Sequence, residues 1–160
     1  MKKIRIAVVA LPLVLACASS KPRSSGLGNF MATMQVDEPI PGVCDNTKVL
    51  ALLPFEGNGQ VKAKPPLTKK QLSEALNAEV AFLKDKPTFS ATGMVNLIVN
   101  CEGTMVRCQI DNKTQSPELD RQIVAVFSRM KDWKPGTYKG TPVDSSVLYR
   151  FTIENGVISL

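Results

Sequence analysis

Histidine is absent from this 160-residue chain. That removes the side chain most often used as a general base near neutral pH and as a zinc ligand. No Cys-x-x-Cys pair occurs, so the spacing specifies neither a zinc site nor a thioredoxin-like one. No Gly-x-Ser-x-Gly turn is found, and the carboxylates are scattered. A cysteine nucleophile would have only a lysine or a carboxylate to activate it. The chain is therefore expected not to be an enzyme, and to need no cofactor and no metal.

A long apolar run is missing too. Residues Ile6 to Ala16 are apolar apart from Pro12, and Lys2, Lys3 and Arg5 precede them. Eleven helical residues would span roughly 16 Å, against a hydrocarbon core of about 30 Å. A basic start, a short apolar core and small residues at its end describe an export signal over residues 1–16. Two processing routes fit the residues around Cys17. Val14-Leu15-Ala16-Cys17 resembles a bacterial lipobox, in which Cys17 is acylated and becomes the N-terminus. Ala16-Cys17-Ala18 instead fits an ordinary signal peptidase, with the mature chain starting at Ser19. The lipoprotein is the favoured reading. By resemblance to bacterial lipoprotein sorting, Ala18 after the cysteine implies the periplasmic side of the outer membrane. An acylated Cys17 would anchor the chain to the membrane almost permanently.

Charge of one sign is not concentrated either. The chain holds 20 basic and 14 acidic residues, and three of the basic ones belong to the export signal. The lysines are spread, and an exported protein rarely meets nucleic acid, so no nucleic-acid partner is expected.

Four cysteines are present, and Cys17 is lipidated or removed. Cys44, Cys101 and Cys108 remain, an odd number for an oxidising compartment. In a hairpin turning at Glu102–Thr104, Cys101 and Cys108 stand about 10 Å apart, beyond bridging range. Cys44 can bond to either. Buried thiols with one disulfide are the expectation.

What is present is patterned. Residues 17–45 are polar and broken by Pro and Gly, and read as a lipidated N-terminus and flexible linker. Val49 to Phe55 is a short apolar run ending near Pro54, an edge strand or extended packing segment. The spacing predicts a helix from Thr68, with Gln71 completing a capping box and Leu72, Leu76, Val80 and Leu83 on one face. Lys86-Pro87 marks its end. From Gly93 the period switches to two: Val95, Leu97, Val99 and Cys101 share one face, and Met94, Asn96, Ile98 and Asn100 the other. Met105 to Ile110 returns as the paired strand.

A second helix is sharply delimited. Ser116 is its N-cap, Pro117 its first residue, and Glu118 and Asp120 complement the dipole. Leu119, Ile123, Val126, Phe127 and Met130 form its stripe. Trp133 reads as a buried plug, and Pro135-Gly136 stops the helix. Ser146 to Ile153 is the last long strand, and "ENG" turns into a short "VISL" strand. The fold class expected from this order is α+β. The architecture would be a two-layer sandwich, a small antiparallel sheet covered by helices, with a ββαβ core and a preceding helix.

The ordered set Gly93-x-Val95-x-Leu97-x-Val99, Gly103, Ser116-x-x-Leu119-Asp120, Trp133-x-Pro135, Gly140-x-Pro142-Val143 and Phe151-x-Ile153 resembles the TonB C-terminal domain. The match covers about 61 of 160 residues, Gly93 to Ile153, within a domain spanning residues 46–160. What the resemblance implies is a periplasmic module that receives an extended segment of an outer-membrane or periplasmic protein as an added strand. The strand implied is Val147, Leu148, Tyr149, Arg150 and Phe151. Energy-transducing members keep an uncleaved inner-membrane helix, a long Pro-rich spacer and a Tyr-Pro ahead of the first long strand; all three are missing here. The expectation is therefore an adaptor on an outer-membrane lipoprotein. The alternative is a short TonB-type component of receptor-linked transport.

Overall fold

The computed structural model describes residues 30–34, 36 and 38–160. The export signal and Cys17 lie outside the described residues. In chain order the elements are β1 (Ala32–Met34), β2 (Val49–Ala51), β3 (Gln60–Val61), α1 (Lys69–Glu79), β4 (Ala91–Val99) and β5 (Met105–Asn112). These are followed by α2 (Pro117–Phe127), β6 (Gly136–Tyr138), β7 (Thr141–Val143), β8 (Ser145–Glu154) and β9 (Val157–Ser159).

Both helices start where local chemistry says they should. The Gln71 N–H donates to the Thr68 hydroxyl at 3.3 Å, and the Gln71 side-chain oxygen accepts from the Thr68 N–H at 2.9 Å. Ser116 caps α2 by accepting from the Leu119 N–H at 3.5 Å. Their ends come earlier than the apolar stripes suggest. Val80 leaves helical geometry at ψ 89°, and a single 3₁₀ turn, Ala81–Leu83, follows. The Phe82 N–H there donates to the Gln122 side chain of α2 at 2.9 Å, so a helix–helix bond replaces an intrahelical one. After Phe127 the chain turns through Asp132 at φ +61°, which still buries Met130 and Trp133.

The expected architecture is overturned. The described residues form nine strands and two α-helices, and the strands make two sheets. The larger sheet has six strands in the order β1-β2-β8-β4-β5, with β9 also paired to β8. It is mixed: β2 runs parallel to β8, whereas β4 pairs antiparallel with both β5 and β8. The smaller sheet is β3-β6-β7. This is not a small antiparallel sheet covered by helices with a ββαβ core and a preceding helix. Alternation cannot show in strands of two or three residues, so "QV", "GTY" and "TPV" look like loop. β3 is placed by a distant partner, Gln60 opposite Tyr138, whereas β6 and β7 form a short local hairpin with Thr137 opposite Pro142.

Part of the polar N-terminal stretch is also built into the sheet. Ala32–Met34 pairs with β2, and Ile40 is buried. Packing begins upstream of residue 46.

The main core lies on one face of the large sheet. Val95, Leu97 and Val99 of β4 and Tyr149, Phe151 and Ile153 of β8 meet Leu72 and Leu76 of α1 and Leu119, Ile123 and Phe127 of α2. On the opposite face Ile98 packs with Ile40 and Val49 and with the partly buried Met34, Val43 and Val106. This is why Ile98 stands among otherwise polar neighbours on its side of β4. Both faces of β4 are thereby removed from water, and the strand becomes the centre of the fold.

Candidate partner-binding site

The longest strand, β8, is paired along its whole length on only one side. There β4 runs against it from Ala91↔Ile153 to Val99↔Ser145. On the other side β2 reaches only Ser145 and Ser146, and β9 only Thr152, Ile153 and Glu154. Between them Val147, Leu148, Tyr149, Arg150 and Phe151 have no strand beside them among the described residues. This is the stretch the sequence singles out. The structure brings all five together as a notch in the sheet, not as a free outer edge.

The direction of the main-chain groups follows from the register. The Leu50 N–H donates to the Asp144 carbonyl at 2.9 Å, so that carbonyl faces β2. In an extended strand alternate residues face the same way, so Leu148 and Arg150 turn their N–H and C=O into the notch. Val147, Tyr149 and Phe151 turn theirs toward β4. Side chains alternate as well. Tyr149 and Phe151 are buried in the main core, whereas Leu148 is 55% exposed and Arg150 is exposed.

A cleft of about 830 Å³ opens beside the notch. Ala51, Leu52 and Leu53 bound it where β2 ends, and Ser159 and Leu160 bound it at β9. Ala63, Pro65, Val147 and Tyr149 give it apolar wall. Its charged lining side chains are those of Lys62, Lys69 and Arg150, with no Asp or Glu among the lining residues. None of the three cations is in an ion pair among the described residues. Burial raises the Tyr149 phenol above its ordinary range, so it stays neutral and can serve as a donor.

The start of β8 is held by a buried carboxylate. Asp144 accepts from the Cys44 and Cys101 N–H groups, each at 3.0 Å, and from the Asp45 N–H at 2.7 Å. Cys44 and Cys101 are joined in a disulfide with Cα atoms 6.1 Å apart, which resolves the two pairings left open for Cys44. Cys101 lies in the β4–β5 turn, beyond Val99, and Cys108 pairs with Leu97 instead. The two sulfurs and the Asp144 carboxylate lie within 4.8 Å of one another. The sulfurs are bonded to each other and the carboxylate is taken by three N–H groups, so this cluster is a clamp, not a metal centre. Cys108 is a free thiol whose pKa is pushed up, chiefly by burial and against a hydrogen bond from Ser128. That makes it a weak nucleophile.

The resemblance pointed to this strand, but the sequence left open which edge is free and gave none of the notch's borders. Nothing in "VLALLPF" says that β2 lies parallel to β8 and stops after two residue pairs. Lys62, Lys69 and Leu160 were also invisible as neighbours, since only the packing brings them to the cleft. Trp133 is buried at 4% exposure, away from the notch. Among the described residues no helix is long and apolar enough to cross a membrane. No family model, characterised protein or solved structure is significantly similar to this chain.

Proposed function

We propose that this chain is a non-catalytic binding module that takes up an extended segment of another protein as an added strand against Val147–Phe151. The observation that carries this is the five-residue notch, where the main-chain groups of Leu148 and Arg150 have no strand partner among the described residues and lie beside an apolar cleft. Two residues offer two donors and two acceptors, so main-chain pairing supplies affinity and the cleft supplies selectivity. The neighbouring elements give the notch a rigid frame, because β4 fixes β8 from the other side.

The resemblance to TonB C-terminal domains supports the same use of the strand. Together with the basic, short apolar leader and the lipobox-like Val14–Cys17, it supports an adaptor tethered by Cys17 to the periplasmic side of the outer membrane. The partner would then be an outer-membrane or periplasmic protein with an accessible extended segment.

The test is selection of a displayed random-peptide library on the full chain, with the selected peptides then mapped on its amide spectrum. Peptides that shift the Leu148 and Arg150 amides, and lose binding to Leu148→Pro, support the reading. Peptides that bind Leu148→Pro as well as the parent contradict it. For the anchor, intact mass of membrane and soluble fractions is decisive. A species starting at residue 17 with acyl groups, lost in Cys17→Ala, is expected; a soluble species starting at Ser19 removes the lipid anchor from the account.

A further inference from the structure

Resting on that strand-binding reading, we infer that the notch selects a short acidic segment: no more than about five residues in extended form, with an apolar side chain for the cleft and carboxylates for its rim.

The length limit comes from the register. On the open side, β2 ends opposite Ser146 and β9 begins opposite Thr152. A strand lying between them has five residues of β8 to pair with, roughly 16 Å at about 3.3 Å per residue. A longer strand would collide with Leu52 at one end or Leu160 at the other. The ligand must therefore arrive and leave out of the plane of the sheet. That favours a short motif within a flexible region over the edge of a preformed sheet, and it disfavours long-edge pairing between two copies of this chain.

The sign of charge comes from the rim. Lys62, Lys69 and Arg150 line the cleft with no Asp or Glu side chain among the lining residues. Lys62 and Lys69 are exposed, so both can reach an incoming group. Lys69 is also the first residue of α1, whose first turn holds no acidic residue. The positive end of that helix and its lysine thus add to one potential instead of cancelling. The contrast with α2 is direct, since Glu118 and Asp120 neutralise its first turn. Three like charges around a partly dry cleft repel one another in the free protein, and an acidic ligand relieves this. The apolar requirement comes from Val147, Tyr149 and Ala63, which leave a cleft wall that water covers poorly.

The test uses capped pentapeptides with valine at alternate positions and either aspartate or asparagine at the intervening ones, titrated into the full chain. Amide shifts locate the binding, and the titration is repeated at high salt. The acidic peptide is expected to bind at least tenfold tighter than its amide twin, to shift the Leu148 and Arg150 amides, and to lose that advantage in high salt. The double variant Lys62→Glu/Lys69→Glu, both at exposed positions, should reverse the preference. Equal binding of the two peptides at the Leu148 and Arg150 amides would overturn the charge inference and leave strand binding standing. Acidic peptides that shift the lysine neighbourhood without shifting those two amides would overturn both. Concentration-dependent dimers that shift the same amides without any peptide would replace the peptide with a second copy of this chain.

Discussion

The Phe151 ring of β8 lies directly across Gly93 of β4, so close that a Cβ on Gly93 would come within 2.2 Å of the ring's Cζ. The two residues are register partners in the antiparallel pair. The glycine leaves room for the aromatic ring, and the ring fills the surface the glycine lacks. Phe151 is the last residue of the open stretch before β9 begins to pair at Thr152, so this contact holds that end of β8 against β4.

Gly93→Ala is therefore expected to destabilise the fold by about 1–3 kcal/mol through overpacking. Phe151→Leu should relieve much of that penalty in the double variant. Chemical denaturation of the four proteins of this cycle checks it, and strict additivity would show that the contact is not the cause.

Reduction of Cys44–Cys101 should cost about 4 kcal/mol in the chain-entropy view, since the bridge spans a sequence separation of 57. Denaturation midpoints with and without reductant measure it. The loss should be accompanied by loosening at the start of β8, because Asp144 binds main-chain N–H groups on both sides of the bridge.

Cys108 provides a pH test. Burial raises its pKa, so the folded state holds the thiol proton more tightly than the unfolded state does. The stability this contributes is present below the ordinary thiol pKa and is lost as pH rises through the folded value. Alkylation by iodoacetamide should accordingly reach half its maximal rate at a higher pH in the folded protein than in urea. The two profiles are measured on the same chain by mass.

Proline scanning separates the two sides of β8. Leu148→Pro removes an N–H directed into the notch, and should change stability by no more than about 1 kcal/mol. Tyr149→Pro removes an N–H directed at β4 and should cost roughly 3 kcal/mol or more. Thermal unfolding of the two variants gives the comparison.

The parts of the fold legible in sequence are those governed by near neighbours. The Thr68–Gln71 and Ser116–Pro117 starts, the alternation of β4 and the length of β8 all follow from residues a few positions apart. The parts that escaped depend on contacts across the chain. Ala32–Met34 joins the sheet because β2 leaves it an edge to pair with, and Gln60 is positioned by hydrogen bonds to Leu53 and Phe30. Neither has a local signal. The candidate site divides in the same way. Val147–Phe151 stood out as a long alternating strand, whereas the notch exists only because β2 and β9 stop short of each other.

Amide hydrogen exchange along β8 in the full chain, without any ligand, tests the central claim most directly. An open notch requires the Leu148 and Arg150 amides to exchange rapidly while those of Val147, Tyr149 and Phe151 stay protected by β4. Slow exchange at all five amides would mean that something already occupies this side of the strand, and would contradict the account.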